Sequence, residues 1–158
     1  MTLLDKEPIK RAEKSLKQFD PEMNVIYLES SARTANEAAS SLGCDVGAII
    51  KSLLFKTEQT FALFLVAGDR KASLIKIKKK LNIKSASMAS AEEVKKVTGY
   101  TIGGVSPIGH KNKINIFIDS SLERFKDLYA AAGHPNCVFR INFLNLQKIT
   151  NGTIKDIT

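Results

Sequence analysis

Two apolar runs separated by a short polar turn constrain this 158-residue chain more than any other feature. Ile49-Ile50-Lys51-Ser52-Leu53-Leu54-Phe55 is followed, after Thr57-Glu58-Gln59, by Phe61-Ala62-Leu63-Phe64-Leu65-Val66. Runs of this length, bounded by turn residues, predict a β-hairpin at the centre of a sheet. Alternation along the first strand places Ile49, Lys51, Leu53 and Phe55 on one face and Ile50, Ser52 and Leu54 on the other. Both faces are apolar, so Lys51 carries a charge in a strand expected to be covered on both sides. Desolvated charge is costly without a partner. The Lys51 ammonium therefore either snorkels to an edge or pairs with a structural carboxylate, or else stands in a cavity as the cation for a substrate phosphate or carbonyl.

The flanking segments read as a mixture of short helices and strands. Pro8 at a first-turn position, followed by Ile9, Ala12, Leu16 and Phe19 at helical spacing, predicts an amphipathic helix that stops before Asp20-Pro21. Val25 to Leu28 is a short strand. Thr34 caps a helix over 35–42, with Glu37 completing a capping box and Gly43 ending it. Leu74, Ile77 and Leu81 form an apolar stripe that predicts a surface helix over 71–81. Ser90 and Glu93 form a second capping box, opening a helix that ends near Gly99. Ile114–Asp119, Leu128–Ala132 and Val138–Asn142 read as strands, Ser121–Asp127 as a helical turn, and 142–149 as a last helix. The expected fold is α+β: one compact domain over 1–158, with a central mixed sheet surrounded by helices.

Composition narrows the function classes. No stretch approaches the roughly 20 apolar residues of a membrane helix, and Met1 to Pro8 lacks the pattern of a secretory signal, which predicts a cytoplasmic protein. Cys44 and Cys137 lie far apart among apolar or small residues and read as buried free thiols. Two His and two Cys without paired metal-ligand spacing form no recognisable zinc site. The net charge is +8, and the segment from Arg70 to Lys84 holds seven cations and no acid: Arg70, Lys71, Lys76, Lys78, Lys79, Lys80 and Lys84. Such a patch is either a solvated helix face or the footprint of a polyanion.

Two further constellations could carry chemistry. Gly99 to Gly109 holds four glycines and a proline in eleven residues. Glycine lets a backbone approach a ligand closely, so that successive N–H groups can converge on an oxygen; the alternative is an ordinary tight turn. The dinucleotide fingerprint and the P-loop ending are both missing, which disfavours hydride transfer and nucleotide hydrolysis. Ala130-Ala131-Ala132-Gly133-His134-Pro135-Asn136 runs small residues into a turn. Nothing local fixes a tautomer for His134, which reads as pocket lining instead of a catalyst.

Arg33-Thr34, the run around Lys51-Ser52-Leu53, Gly103-Gly104-Val105-Ser106-Pro107-Ile108-Gly109, Ile118-Asp119-Ser120-Ser121-Leu122 and Ala132-Gly133-His134 together resemble the YbaK/EbsC family over roughly residues 25 to 150. Members of that family are editing domains inserted in, or associated with, prolyl-tRNA synthetase. The resemblance implies a compact α+β fold around a mixed, barrel-like sheet. It implies a free-standing aminoacyl-tRNA deacylase that clears a small wrong amino acid, such as Cys, Ala, Ser or Thr, from the proline tRNA. Cofactor, metal and protein nucleophile are not required. Lys51 matches the family's essential lysine, and the amides of Gly103, Gly104, Val105, Ser106 and Pro107's loop are implied to face the ester carbonyl. Thr34, Gly109, Asp119, Gly133 and His134 are implied to bind or shape the substrate pocket. The partners implied are aminoacyl-tRNA, for which Arg70, Lys71, Lys76, Lys78, Lys79 and Lys80 are the candidate contacts, and prolyl-tRNA synthetase. The Gly-His-Pro-Asn turn departs from the Cys-specific pattern, so the edited amino acid stays open. A non-catalytic tRNA-binding or synthetase-partner module of the same fold is the alternative.

Overall fold

The structure, a computed structural model, describes residues 2–158. Helix α1 (Glu7–Phe19) is followed by β1 (Ile26–Tyr27), α2 (Ala35–Leu42), β2 (Ile50–Thr57), β3 (Phe61–Ala67) and α3 (Leu74–Leu81). Then come β4 (Ala86–Met88), α4 (Ala91–Thr98), β5 (Asn115–Asp119), β6 (Leu128–His134), β7 (Cys137–Ile141), α5 (Phe143–Thr150) and β8 (Thr153–Lys155). The fold is α+β, as the alternation of apolar runs and capping signals predicts.

The hairpin is the centre. β2 and β3 pair antiparallel from Ile50–Ala67 to Lys56–Phe61, and β3 pairs parallel with β5, which pairs parallel with β8. With β4 on the far side of β2, this makes a five-stranded mixed sheet in the order β4-β2-β3-β5-β8. A second, antiparallel sheet has the order β1-β7-β6. A parallel bridge between Ile49 and Tyr129 joins the two, at the point where β2 begins. The expected barrel-like sheet thus resolves into two sheets linked at that bridge.

Strand alternation sorts the core. Ile50, Leu54, Leu63 and Leu65 face a large cluster with Ile9 and Leu16 of α1 and Leu128 and Phe139 of the second sheet. Phe55, Phe64 and Val66 face the other way, onto Ile77 of α3 and Ile157. Phe64 is packed edge-on against Phe55 at 5.1 Å and stacked on Phe117 at 5.3 Å, the two arrangements that the aromatic quadrupole favours.

Capping chemistry follows the sequence with one exception: no reciprocal box forms at Thr34, because the Glu37 carboxylate takes the Ser31 and Thr34 hydroxyls instead of the Thr34 N–H. Thr34 accepts from Glu37 N, Ser90 and Glu93 form a reciprocal box, and Gly43 and Gly99 end their helices in the left-handed region. The basic helix covers its apolar stripe but not the whole of the expected range 71–81. It starts at Leu74 because Ser73 accepts from Lys76 N at 3.2 Å, while Ser73 N donates to Ile157 O at 2.8 Å and holds the preceding residues extended. Only Ile77 of the stripe is fully buried, and Leu74 is exposed.

Asp119, expected at the pocket, is fully buried at the end of β5. Its carboxylate accepts from Ser121 N at 3.2 Å, Ile157 N at 2.9 Å and the Thr158 hydroxyl at 3.0 Å, and also from the Ser121 hydroxyl. It ties the last residues to the sheet. Asp119→Ala is expected to cost about 2–4 kcal/mol in urea unfolding, since charge-assisted bonds are lost and buried donors are left unpaired. Turnover of the folded fraction should be unchanged.

In the turn between β6 and β7, Asn136 N donates to His134 Nδ1 at 3.0 Å, and desolvation holds the imidazole below its usual range. Protonation would remove that acceptor. A histidine with a depressed folded pKa contributes stability that is present above the unfolded value of about 6.5 and is lost as pH falls through the folded value. Thermal unfolding across pH 7.5 to 5 should therefore show a smaller acid-induced fall in Tm for His134→Asn, which keeps an acceptor but does not titrate, than for the parent chain.

Candidate functional site

A strand edge left open in the sheet creates the site. β3 covers one edge of β2 along its length, but on the other edge β4 pairs only with Phe55–Thr57. Ala89 N adds one bond to Leu54 O at 3.0 Å. From Ile50 to Leu53, after the Ile49–Tyr129 bridge, that edge has no strand partner among the described residues. A cavity of about 340 Å³ lies against it. Because the edge itself forms the wall, residues from both faces of the strand line it: Ile50, Lys51, Ser52, Leu53 and Leu54.

The other walls are apolar. Ala35 and Ala38 of α2 form one side, Tyr129, Ala130 and Ala131 of β6 with Val138 of β7 another, and Val94 of α4 with Ala89 a third. Exposed Met88 and Ile102 and the exposed Arg33 and Thr34 stand at the rim. No carboxylate, imidazole or thiol is among the lining residues. The polar groups on offer are the Lys51 ammonium, the Arg33 guanidinium, the hydroxyls of Thr34, Ser52 and Tyr129, and backbone. The Ser52 hydroxyl is buried and has no hydrogen-bond partner among the described residues. A buried orphan of this kind costs about 1–3 kcal/mol unless a ligand or water meets it.

Lys51 is half-buried, and its Nζ donates to the Arg70 carbonyl. Burial pushes its pKa below the ordinary lysine range; Asp69 partly offsets this, and Lys71 adds to it. Asp69 acts on Lys51 only through space, because both Asp69 oxygens are hydrogen-bonded to Arg124 at 2.8 and 3.0 Å. The structural carboxylate that the sequence left open as a partner does not bond Lys51; a neutral carbonyl does. The ammonium is bonded by no carboxylate and keeps donors to spare at the side of an apolar cavity.

The glycine loop supplies the facing wall through Ile102, Gly103 and Val105. Gly103 adopts φ +92°, which side chains rarely tolerate. Neither the Gly103 nor the Val105 N–H has an acceptor among the described residues. Gly104 differs, since its N–H donates to Thr101 O at 3.0 Å. A Cβ there would lie 2.8 Å from the Gly133 carbonyl carbon and oxygen. Gly104 is thus needed where the loop and β6 touch backbone to backbone, whereas Gly133, at φ +94°, is needed because a Cβ there would lie 2.8 Å from the Pro8 carbonyl of α1.

The predicted residues are therefore only partly brought together. Lys51, Thr34, Gly103 and Val105 line the cavity, and Gly104, Gly133 and His134 meet directly behind it, with Pro135 of the same turn on its wall. Ser106 is buried, with its carbonyl 2.6 Å from His110 Nε2. Pro107 and Gly109 line a separate, wider groove with Lys111, Lys113 and Lys148. Asp119 lies outside both. Arg70 and Lys71 stand beside Lys51, whereas Lys76 is paired with Asp156 at 3.1 Å and donates to Thr158 O at 2.6 Å. Lys79 and Lys80 are exposed and Lys78 is half-buried. Cys44 and Cys137 are free thiols, and burial pushes Cys137 up to about 11. Ser52, Met88 and Ile102 escaped prediction as lining residues because nothing local marks a strand edge as unpaired.

The model of the aminoacyl-tRNA editing domain matches residues 29–149, which include every wall of the cavity. The uncharacterized protein YwhH of Bacillus subtilis is 34% identical over 125 residues, covering 78% of this chain and 79% of its own length. Proline--tRNA ligase of Caldicellulosiruptor bescii is 31% identical over 145 residues, covering 90% of this chain; the chain spans 24% of that synthetase. Among solved structures, a candidate trans-editing enzyme for prolyl tRNA synthetase superposes with a TM-score of 0.92 at 33% identity, over 97% of this chain and 98% of the other. With a family model spanning the cavity and a full-length structural counterpart, this chain belongs to the aminoacyl-tRNA editing domain family.

Proposed function

We propose that the chain is a trans-acting deacylase that hydrolyses the ester linking a small wrong amino acid, such as Cys, Ala, Ser or Thr, to the proline tRNA. One observation carries this reading: a lysine held only by a neutral carbonyl lines one apolar cavity together with Gly103 and Val105, whose N–H groups have no acceptor, and that cavity lacks any acid, imidazole or thiol. Ester hydrolysis needs a positioned ester, an oxyanion site and a water. In this reading Lys51 holds a phosphate or carbonyl of the substrate, and the loop amides receive the oxyanion. The ribose hydroxyl beside the ester orients the water, so no side-chain nucleophile or metal is required. Ser52 and the open β2 edge meet the polar atoms of the aminoacyl group.

The likeness to a candidate trans-editing enzyme for prolyl tRNA synthetase supports the choice of tRNA and of prolyl-tRNA synthetase as a partner. A second sieve also makes physical sense, because a methylene-sized difference gives a synthetase pocket only about 1–3 kcal/mol of discrimination.

Incubation with a panel of Ala-, Ser-, Thr- and Cys-charged proline tRNAs should shorten the ester half-life for at least one of them. If every half-life is unchanged while the tRNA still binds, the chain is a non-catalytic tRNA-binding module. Lys51→Met should slow hydrolysis by roughly 100- to 1,000-fold without lowering Tm, because it removes a desolvated charge along with the substrate contact.

The exposed cations Lys79 and Lys80, with Lys78, Arg70 and Lys71, are proposed to contact the tRNA backbone. Each phosphate neutralised steepens the fall of log affinity with log salt by about 0.7–0.9. Changing Lys78, Lys79 and Lys80 to Gln should flatten that slope for every acylated tRNA alike and leave amino-acid preference unchanged. Lys76 is left out of that set because Asp156 already pairs with it.

A further inference from the structure

The glycine loop that walls the cavity is closed at its base by a residue from another part of the chain. Arg11, in the middle of α1, donates from Nε to Gly109 O at 2.7 Å and from Nη2 to Gly99 O at 3.0 Å. These two carbonyls are the first and last of the eleven-residue loop, so a single planar guanidinium spans both of its ends. The ring of Tyr100, which is fully buried, lies under the same guanidinium at 4.5 Å, and its hydroxyl donates to Ile108 O at 2.8 Å. Glu7, one turn back on α1, takes the remaining side of the guanidinium. The fit is close. A Cβ at Gly99 would meet Arg11 Nη2 at 2.7 Å, and one at Gly109 would meet the Tyr100 hydroxyl at 2.6 Å.

Nothing in this arrangement touches the cavity, whose lining includes neither Arg11 nor Tyr100. Its effect falls on the segment in between. With both ends fixed and Gly104 pressed against Gly133, Ile102, Gly103 and Val105 have little freedom to leave the cavity wall. We propose that Arg11, seated on Tyr100, is a positioning residue for the editing reaction, acting through the loop to keep Gly103 and Val105, with their acceptor-free amides, fixed on the cavity wall. The proposal rests on the deacylase reading for its chemistry but not for its geometry. An oxyanion site works only if its donors are already in place, and a misplacement of about 1 Å can cost roughly 100-fold in rate. Lysine could not substitute, because a point charge cannot hold two carbonyls in a fixed fork.

The test uses the full chain with mischarged proline tRNA and peptide-resolved amide exchange. Arg11→Lys and Arg11→Gln should speed exchange over residues 99–109 while leaving β2 and β3 protected. Each should lower kcat by about 10- to 100-fold, with KM within about two-fold of the parent. Tyr100→Phe, which keeps the ring but removes the bond to Ile108, should do the same more weakly and guards against misfolding of the Arg11 variants. The proposal is overturned if loop exchange rises while kcat holds, if loop exchange does not rise in a folded variant, or if exchange rises throughout the chain with kcat and KM degraded together. If the parent chain deacylates nothing, the deacylase reading fails by itself, and the exchange experiment still decides whether Arg11 holds the loop.

Discussion

The pairing of β2 with β3 is the constraint from which the rest of the structure follows. Seven consecutive registers fix which side chains go to which face, and so assign Leu63 and Leu65 to one core and Phe64 and Val66 to the other. A one-residue slip would exchange those sets and strand every apolar side chain on the wrong side. The same pairing leaves the outer edge of β2 available, and the brevity of β4 leaves half of it bare. The cavity is therefore built into the sheet, as the space beside a strand whose neighbour ends early.

Placing a site at a strand edge has chemical advantages. Backbone donors and acceptors face the cavity without the entropy cost of ordering side chains, and the apolar walls keep the dielectric low, which strengthens every charge placed inside. The lysine sits where water can still reach part of it, and its ammonium rests against a carbonyl and not a carboxylate. A carboxylate partner would neutralise it; a carbonyl holds it in place and leaves its charge for a ligand.

Much of this was legible in the sequence, for reasons that can be named. The hairpin, the Thr34 cap, the Ser90–Glu93 capping box and the left-handed Gly43 and Gly99 rest on local rules, and each lies where those rules put it. Lys51 stood out because charge in an apolar strand is anomalous. What local rules could not reach was decided by residues distant in the chain. Ser73 caps α3 early because the C-terminal segment packs beside it, and Asp119 turns away from the pocket to hold Ile157 and Thr158. β4 and β8, three residues each, are too short to carry a periodic signal, and they exist because β2 and β5 offer them an edge. The role of Gly104 could not be separated from that of Gly103 without knowing that Gly133 lies 2.8 Å from where its Cβ would be.

The order of strands also shapes how the chain must assemble. β2 and β3 are joined by a three-residue turn and can pair as soon as both exist, but the other side of β3 is covered by β5, with Leu63 opposite Ile116, 53 residues further on. Local hairpins form in microseconds, whereas parallel pairing across such a separation must first close a long loop. During synthesis at about 5–20 residues per second, the most apolar strand of the protein therefore spends several seconds with one edge unpaired. The nascent hairpin is the species most exposed to self-association, and its protection until β5 arrives is a matter for the ribosome and its chaperones instead of the native fold.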